Sequence, residues 1–136
     1  MNYIKIDWQA SEKNPDNIEF LEGSIYISDS VNIISDTFTD LDVWFDLLID
    51  VLTAIQNKKN SIIMLDTQEY KIERKEGNWF LKSSTEKIAL KDGRYFKLEL
   101  QSQSLKFLDW VKKNNDWQSN ELLVNIDQYW QKNIED

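Results

Sequence analysis

Three aspartates, Asp42, Asp46 and Asp50, recur at four-residue spacing, with Asp36 and Asp40 just ahead of them. Four residues is about one helical turn, so the trio should line one helix face, opposite the apolar one. Carboxylates in a row can share a hard cation, divide general acid and base roles, or offer negative charge to a basic partner. The chain contains no His and no Cys. These absences remove Ser-His and Cys-His nucleophilic catalysis, thiolate zinc sites and disulfides, and leave carboxylates, Lys and Tyr as chemical groups.

The first two chemistries find little support. The acids between residues 29 and 46 do not follow EF-hand spacing, with no Gly at the turn and no closing Glu in register, so neither a metal nor another cofactor is expected. A glycosidase needs two acids set apart across a sugar cleft, and nothing selects two of these over the others. The reading is therefore non-enzymatic, with Asp36, Asp40, Asp42, Asp46 and Asp50 as a partner-binding surface. The alternative is an ordinary solvated acidic face. Like charges one turn apart cost a few tenths of a kcal/mol per pair. Asp40 and Asp42 recover part of that at the positive helix end, whereas Asp50 lies too far along.

Six Trp in 136 residues add a second group of candidates. Trp8, Trp44, Trp79 and Trp130 fall in phase with apolar faces and read as core. Trp110 and Trp117 flank Asn114 and Asn115 and are less constrained, so they are candidate partner anchors of the kind enriched in interface hot spots.

Charge is unevenly distributed. Residues 1–57 carry eleven acids against Lys5 and Lys13, a balance of −9; residues 58–115 carry thirteen bases against eight acids, +5; from Asp116 onward five acids face Lys132, −4. The overall −8 disfavours phosphate backbones, because nucleic-acid affinity rests on Lys and Arg displacing counterions. A basic protein is the natural complement. Residues 1–8 show no apolar region behind a basic start, and no later run approaches the roughly 18 residues of a membrane span, so a cytoplasmic chain with no membrane association is expected.

The elements that must position these residues follow from periodicity. Ile4, Ile6 and Trp8 alternate with Lys5 and Asp7 as in a half-buried strand. Residues 11–17 form a loop, residues 19–21 and 24–28 strand segments broken at Gly23, and residues 31–35 a short strand. A central helix over residues 40–57, with Thr39 as N-cap, buries Leu41, Trp44, Phe45, Leu48, Val51, Leu52 and Ile55. Residues 61–65 are almost continuously apolar and predict a strand covered on both faces. Residues 70–74, 78–82 and 87–90 continue a meander, with a turn at Glu76-Gly77. Asp92-Gly93 predicts a hairpin into a strand over residues 95–100. Two helices close the chain, one capped by Ser102 or Ser104 and ending near Lys113, the other capped by Ser119 and ending near Lys132. Together these predict a single α+β domain over residues 1–136, a mostly antiparallel sheet meander with one central helix and two C-terminal helices packed on it.

Small size, acidity, absence of Cys, richness in Trp, Asn and Lys, and the acidic helix of residues 40–50 together resemble the immunity proteins of bacterial contact-dependent inhibition and polymorphic toxin systems. The resemblance is one of profile over the whole chain and carries no motif. It implies a chain that binds a cognate toxin with a basic surface, often a nuclease, and occludes its active site with carboxylates. Two other readings are an acidic nucleic-acid mimic of phage type that blocks a DNA-binding protein, and a small carboxylate-dependent enzyme. The first requires acids spread at phosphate-like spacing; the second requires a pocket with at least two converging acids.

Overall fold

The computed structural model describes residues 4–133. β1 (Lys5–Ala10), β2 (Glu22–Ser28) and β3 (Ile33–Asp40) form an antiparallel sheet in that order. The chain passes directly from β3 into α1 (Leu41–Gln56), then into a second antiparallel sheet, β4 (Ser61–Leu65), β5 (Gln68–Lys75), β6 (Asn78–Lys82) and β7 (Lys87–Lys91). α2 (Arg94–Val111), a 3-10 turn at Trp117–Ser119 and α3 (Glu121–Asn133) complete the order. The arrangement is α+β and antiparallel throughout, with the strands divided between two sheets. Buried side chains from both sheets and all three helices join in one cluster around Trp44, Phe45, Phe96, Phe107 and Trp130.

Asp29 couples the two sheets. It lies in the β2–β3 turn, where its Oδ1 accepts the N–H groups of Val31 and Asn32, and its Oδ2 accepts the N–H of Ala89 in β7 at 2.9 Å. Burial pushes the Asp29 carboxyl up, but the donors of Ala89, Asn32 and Val31 outweigh it and hold it below the usual carboxylate range. Asn32 adds a second link by donating to the Lys87 carbonyl.

α1 follows its apolar spacing. Its N-cap position is Asp40 rather than Thr39, and that side chain makes no capping bond. The helix closes in a Schellman arrangement: Lys58, at φ +54°, donates to the Ile55 carbonyl, and Lys59 donates to that of Ala54. Trp79, Leu81, Tyr70 and Ile72 are buried as their alternation requires, and Glu76-Gly77, both at positive φ, form the two-residue turn between β5 and β6.

Several boundaries differ from the sequence reading. Residues 19–21 are not a strand, and β2 begins at Glu22 and runs through Gly23. A Cβ at Gly23 would lie 2.3 Å from the Gln9 carbonyl oxygen and 2.7 Å from Leu41, so close strand and helix approach demands Gly there. β4 is an edge strand, not a central one; Ile62 and Met64 point outward and only one face is covered. Asp92-Gly93 opens a helix instead of a hairpin. Gly93, at φ +89°, accepts the N–H of Lys97 while Asp92 accepts that of Arg94, and Phe96, Leu100, Ser104, Phe107, Leu108 and Val111 then recur at helical spacing on the buried side of α2. Ser102 and Ser104 are consequently interior to α2 and cap nothing. Asn120, not Ser119, caps α3, its Oδ1 accepting the N–H groups of Leu122 and Leu123.

Candidate protein-binding surface

The approach to α1 is irregular. Along β2 and β3, Gly23 pairs with Thr39 and Ile25 with Asp36, so β3 carries one extra residue in this interval. That bulge falls at Thr37 and Phe38, and Phe38 sits at φ +55°. Unbulged alternation would place Phe38 on the face of Ile34, which is buried. The bulge instead turns the ring outward, leaving it 83% exposed. A bulky side chain in the left-handed region costs on the order of 1–3 kcal/mol, and such strain concentrates at sites that use it. Periodicity alone assigns Phe38 inward, and no local signal marks the bulge.

Of the aspartate row, Asp42 does not lie on a solvated face. It is 7% exposed because α3 packs along that side of α1; its Oδ2 accepts the Asn120 side-chain N–H at 3.0 Å, and its Oδ1 accepts the backbone N–H of Val43. Burial raises its carboxyl above the ordinary value, only partly offset by those two bonds, and the nearby Asp40 charge adds to the rise. Asp46 is half-buried and Asp50 exposed. Desolvation raises the Asp46 carboxyl, reinforced by the charges of Asp50 and Asp42, and desolvation raises that of Asp50 as well. No described cation pairs with Asp46 or Asp50. Asp40 is exposed at the start of α1, two residues beyond Phe38. The open carboxylates are therefore Asp46 and Asp50 along the helix and Asp40 at its start, while Asp42 is buried.

Asp36 belongs elsewhere. It accepts the indole N–H of Trp44 at 2.9 Å, and Trp44 stands about 200° around the helix from Asp42. Trp110 and Trp117 are half-buried and occupied within the fold. Trp110 packs against Trp8 and Phe107 and donates to the Lys13 carbonyl at 2.9 Å, while the Lys112 ammonium lies 4.9 Å from the Trp117 ring centroid. Asn114 donates to the Pro15 carbonyl and Asn120 to that of Ile18, so the α2–α3 corner clasps the loop between β1 and β2. These side chains fix the corner that buries Asp42, and the structure does not bring Asp36 or Trp110 into the open row.

Among the described residues no three His, Cys, Asp or Glu side chains gather closely enough to hold a metal ion, and no helix is long and apolar enough to cross a membrane. Compared with models of protein families, with curated proteins and with solved structures, the chain shows no match.

Proposed function

We propose that the chain is an immunity-type protein inhibitor, acting in the cytoplasm, which binds a toxin with a basic active-site cleft and covers that cleft with the surface around Phe38, Asp40, Asp46 and Asp50. The observation that carries this reading is Phe38. An 83% exposed aromatic, held at positive φ by a bulge, stands two residues ahead of Asp40 at the start of the helix that carries Asp46 and Asp50, carboxylates with no described cation partner. That combination supplies what a fast, tight inhibitor needs. Rigid aromatic anchors concentrate binding energy, and unpaired charge of one sign accelerates encounter with a partner of the other. Row carboxylates in place of substrate phosphates would occlude a nuclease cleft without any chemistry by the inhibitor itself.

The test is retention of a partner from the lysate of the native host, including products of neighbouring genes, by wild-type protein and by a Phe38→Ala, Asp46→Lys double variant. A one-to-one partner that is toxic when expressed alone, held by the wild type and released by the variant, supports the reading. Retention of a DNA-binding host protein would favour nucleic-acid mimicry. Equal retention of the toxin by both proteins would move the interface elsewhere.

A further inference from the structure

The two sheets expose four outer strands, and three have their edges closed. β1 is covered by α2, where a Glu99 carboxylate oxygen accepts the Ile6 N–H at 2.8 Å. β7 is closed by Asp29 and Asn32 at Ala89 and Lys87. β3 is interrupted by the bulge at Phe38. Among the described residues β4 has none of these protections. It pairs with β5 alone among them, its five residues Ser-Ile-Ile-Met-Leu contain no charge and no Pro, and Ile62 and Met64 are each 59% exposed on its outer face. Natural sheets blunt open edges with charge, Pro or bulges, and an edge lacking all three is a template for another strand.

The charges around this edge say which strand fits. Lys58 and Lys59 precede β4, and Lys71 stands beside Ile62 in β5; Asp66 follows β4, and Glu69 stands beside Met64. The edge is thus cationic at one end and anionic at the other. We infer that β4 pairs antiparallel with β4 of a second copy, about a two-fold axis at Ile63, to make one continuous eight-stranded sheet. In that register Ile62 lies opposite the partner's Met64 and Met64 opposite the partner's Ile62, gathering four apolar side chains on one face. The cationic end of each copy meets the anionic end of the other. The symmetry satisfies both ends at once, as a closed two-fold interface requires.

Sedimentation equilibrium of the full chain, carried up to about millimolar concentration, tests this. The wild type is expected to dimerise, and Ile62→Lys with Met64→Lys to stay monomeric with an unchanged circular dichroism spectrum, since both side chains are exposed. Lys59→Glu with Lys71→Glu, and separately Asp66→Asn with Glu69→Lys, should each weaken the dimer by about tenfold from opposed like charges, and mixing the two variants should restore a heterodimer. A wild type that is monomeric throughout, a dimer that survives the double-lysine variant, or charge variants that fail to recover on mixing would each overturn the inference.

Discussion

The Asn120 side-chain amide donates to the Asp42 carboxylate at 3.0 Å and so joins the first turn of α1 to the first residue before α3. The same amide nitrogen donates to the Ile18 carbonyl at 2.8 Å, and the Asn120 oxygen accepts the N–H groups of Leu122 and Leu123. One side chain thereby holds a buried carboxylate, caps a helix and pins the loop between β1 and β2. Asn120→Ala should destabilise the protein by about 2–4 kcal/mol, combining a lost cap with an uncompensated buried acceptor. Urea unfolding measures it; a loss below about 1 kcal/mol would mean that solvent replaces these bonds.

Burial of Asp42 dictates a pH dependence of definite sign. Its folded carboxyl titrates above the ordinary value near 3.8, so the native state takes up the proton more readily than the unfolded chain does. This contribution is fully present below the unfolded value and is lost as pH rises through the raised folded value. Asp42→Asn removes the charge but offers one carbonyl oxygen to the two donors, Asn120 and the Val43 N–H, and should flatten the stability profile above pH 3.8 with little net change in stability at neutral pH. Chemical unfolding of both proteins between acid and neutral pH checks it; parallel profiles would show that Asp42 is not the group responsible.

Phe38 predicts opposite effects on stability and binding. Phe38→Gly relieves a positive-φ strain and should stabilise the free protein by about 1 kcal/mol. The same change should weaken partner binding by more than about 2 kcal/mol. Thermal unfolding and titration calorimetry read the two arms separately. Loss of stability in the variant would show that the ring packs rather than protrudes.

Asp46→Lys with Asp50→Lys should leave the unfolding midpoint close to that of the wild type and weaken partner binding by more than about 1 kcal/mol, mainly through slower association at low salt. Asp42 is excluded from this pair because a Lys in its buried position would unfold the α1–α3 contact. Unchanged association rates would identify Asp46 and Asp50 as solvated charge.

Two glycines at positive φ should differ in cost. A Cβ at Gly93 would meet Ile55 at 2.8 Å, whereas one at Gly77 meets nothing within 4 Å. Gly77→Ala should cost about 1 kcal/mol from backbone strain alone, and Gly93→Ala clearly more, because Ile55 must move as well. Equal losses in unfolding experiments would mean that Ile55 yields freely.

Features set by local periodicity and turn chemistry are legible along the chain. α1 is legible because Leu41, Trp44, Phe45, Leu48, Val51 and Leu52 recur every three or four residues, and the β5–β6 hairpin because Glu76-Gly77 tolerates positive φ. The α+β class, the antiparallel pairing and the core positions of Trp44, Trp79 and Trp130 follow from the same patterns. The remaining features depend on packing between distant segments. Asp92-Gly93 suits a hairpin as well as a helix start, and the choice falls to the helix because Phe96, Leu100 and Phe107 bury together only at helical spacing, with Ile55 packed against Gly93. A continuously apolar β4 reads as central until the sheet order places it at an edge. Asp42, Asp46 and Asp50 look equivalent along the chain, but the α3 packing buries the first, while the second is half-buried and the third exposed. Phe38 faces outward because β3 holds one more residue than β2 can match. Register between strands and packing between helices are contacts across the chain, and neither is encoded in the spacing of neighbours.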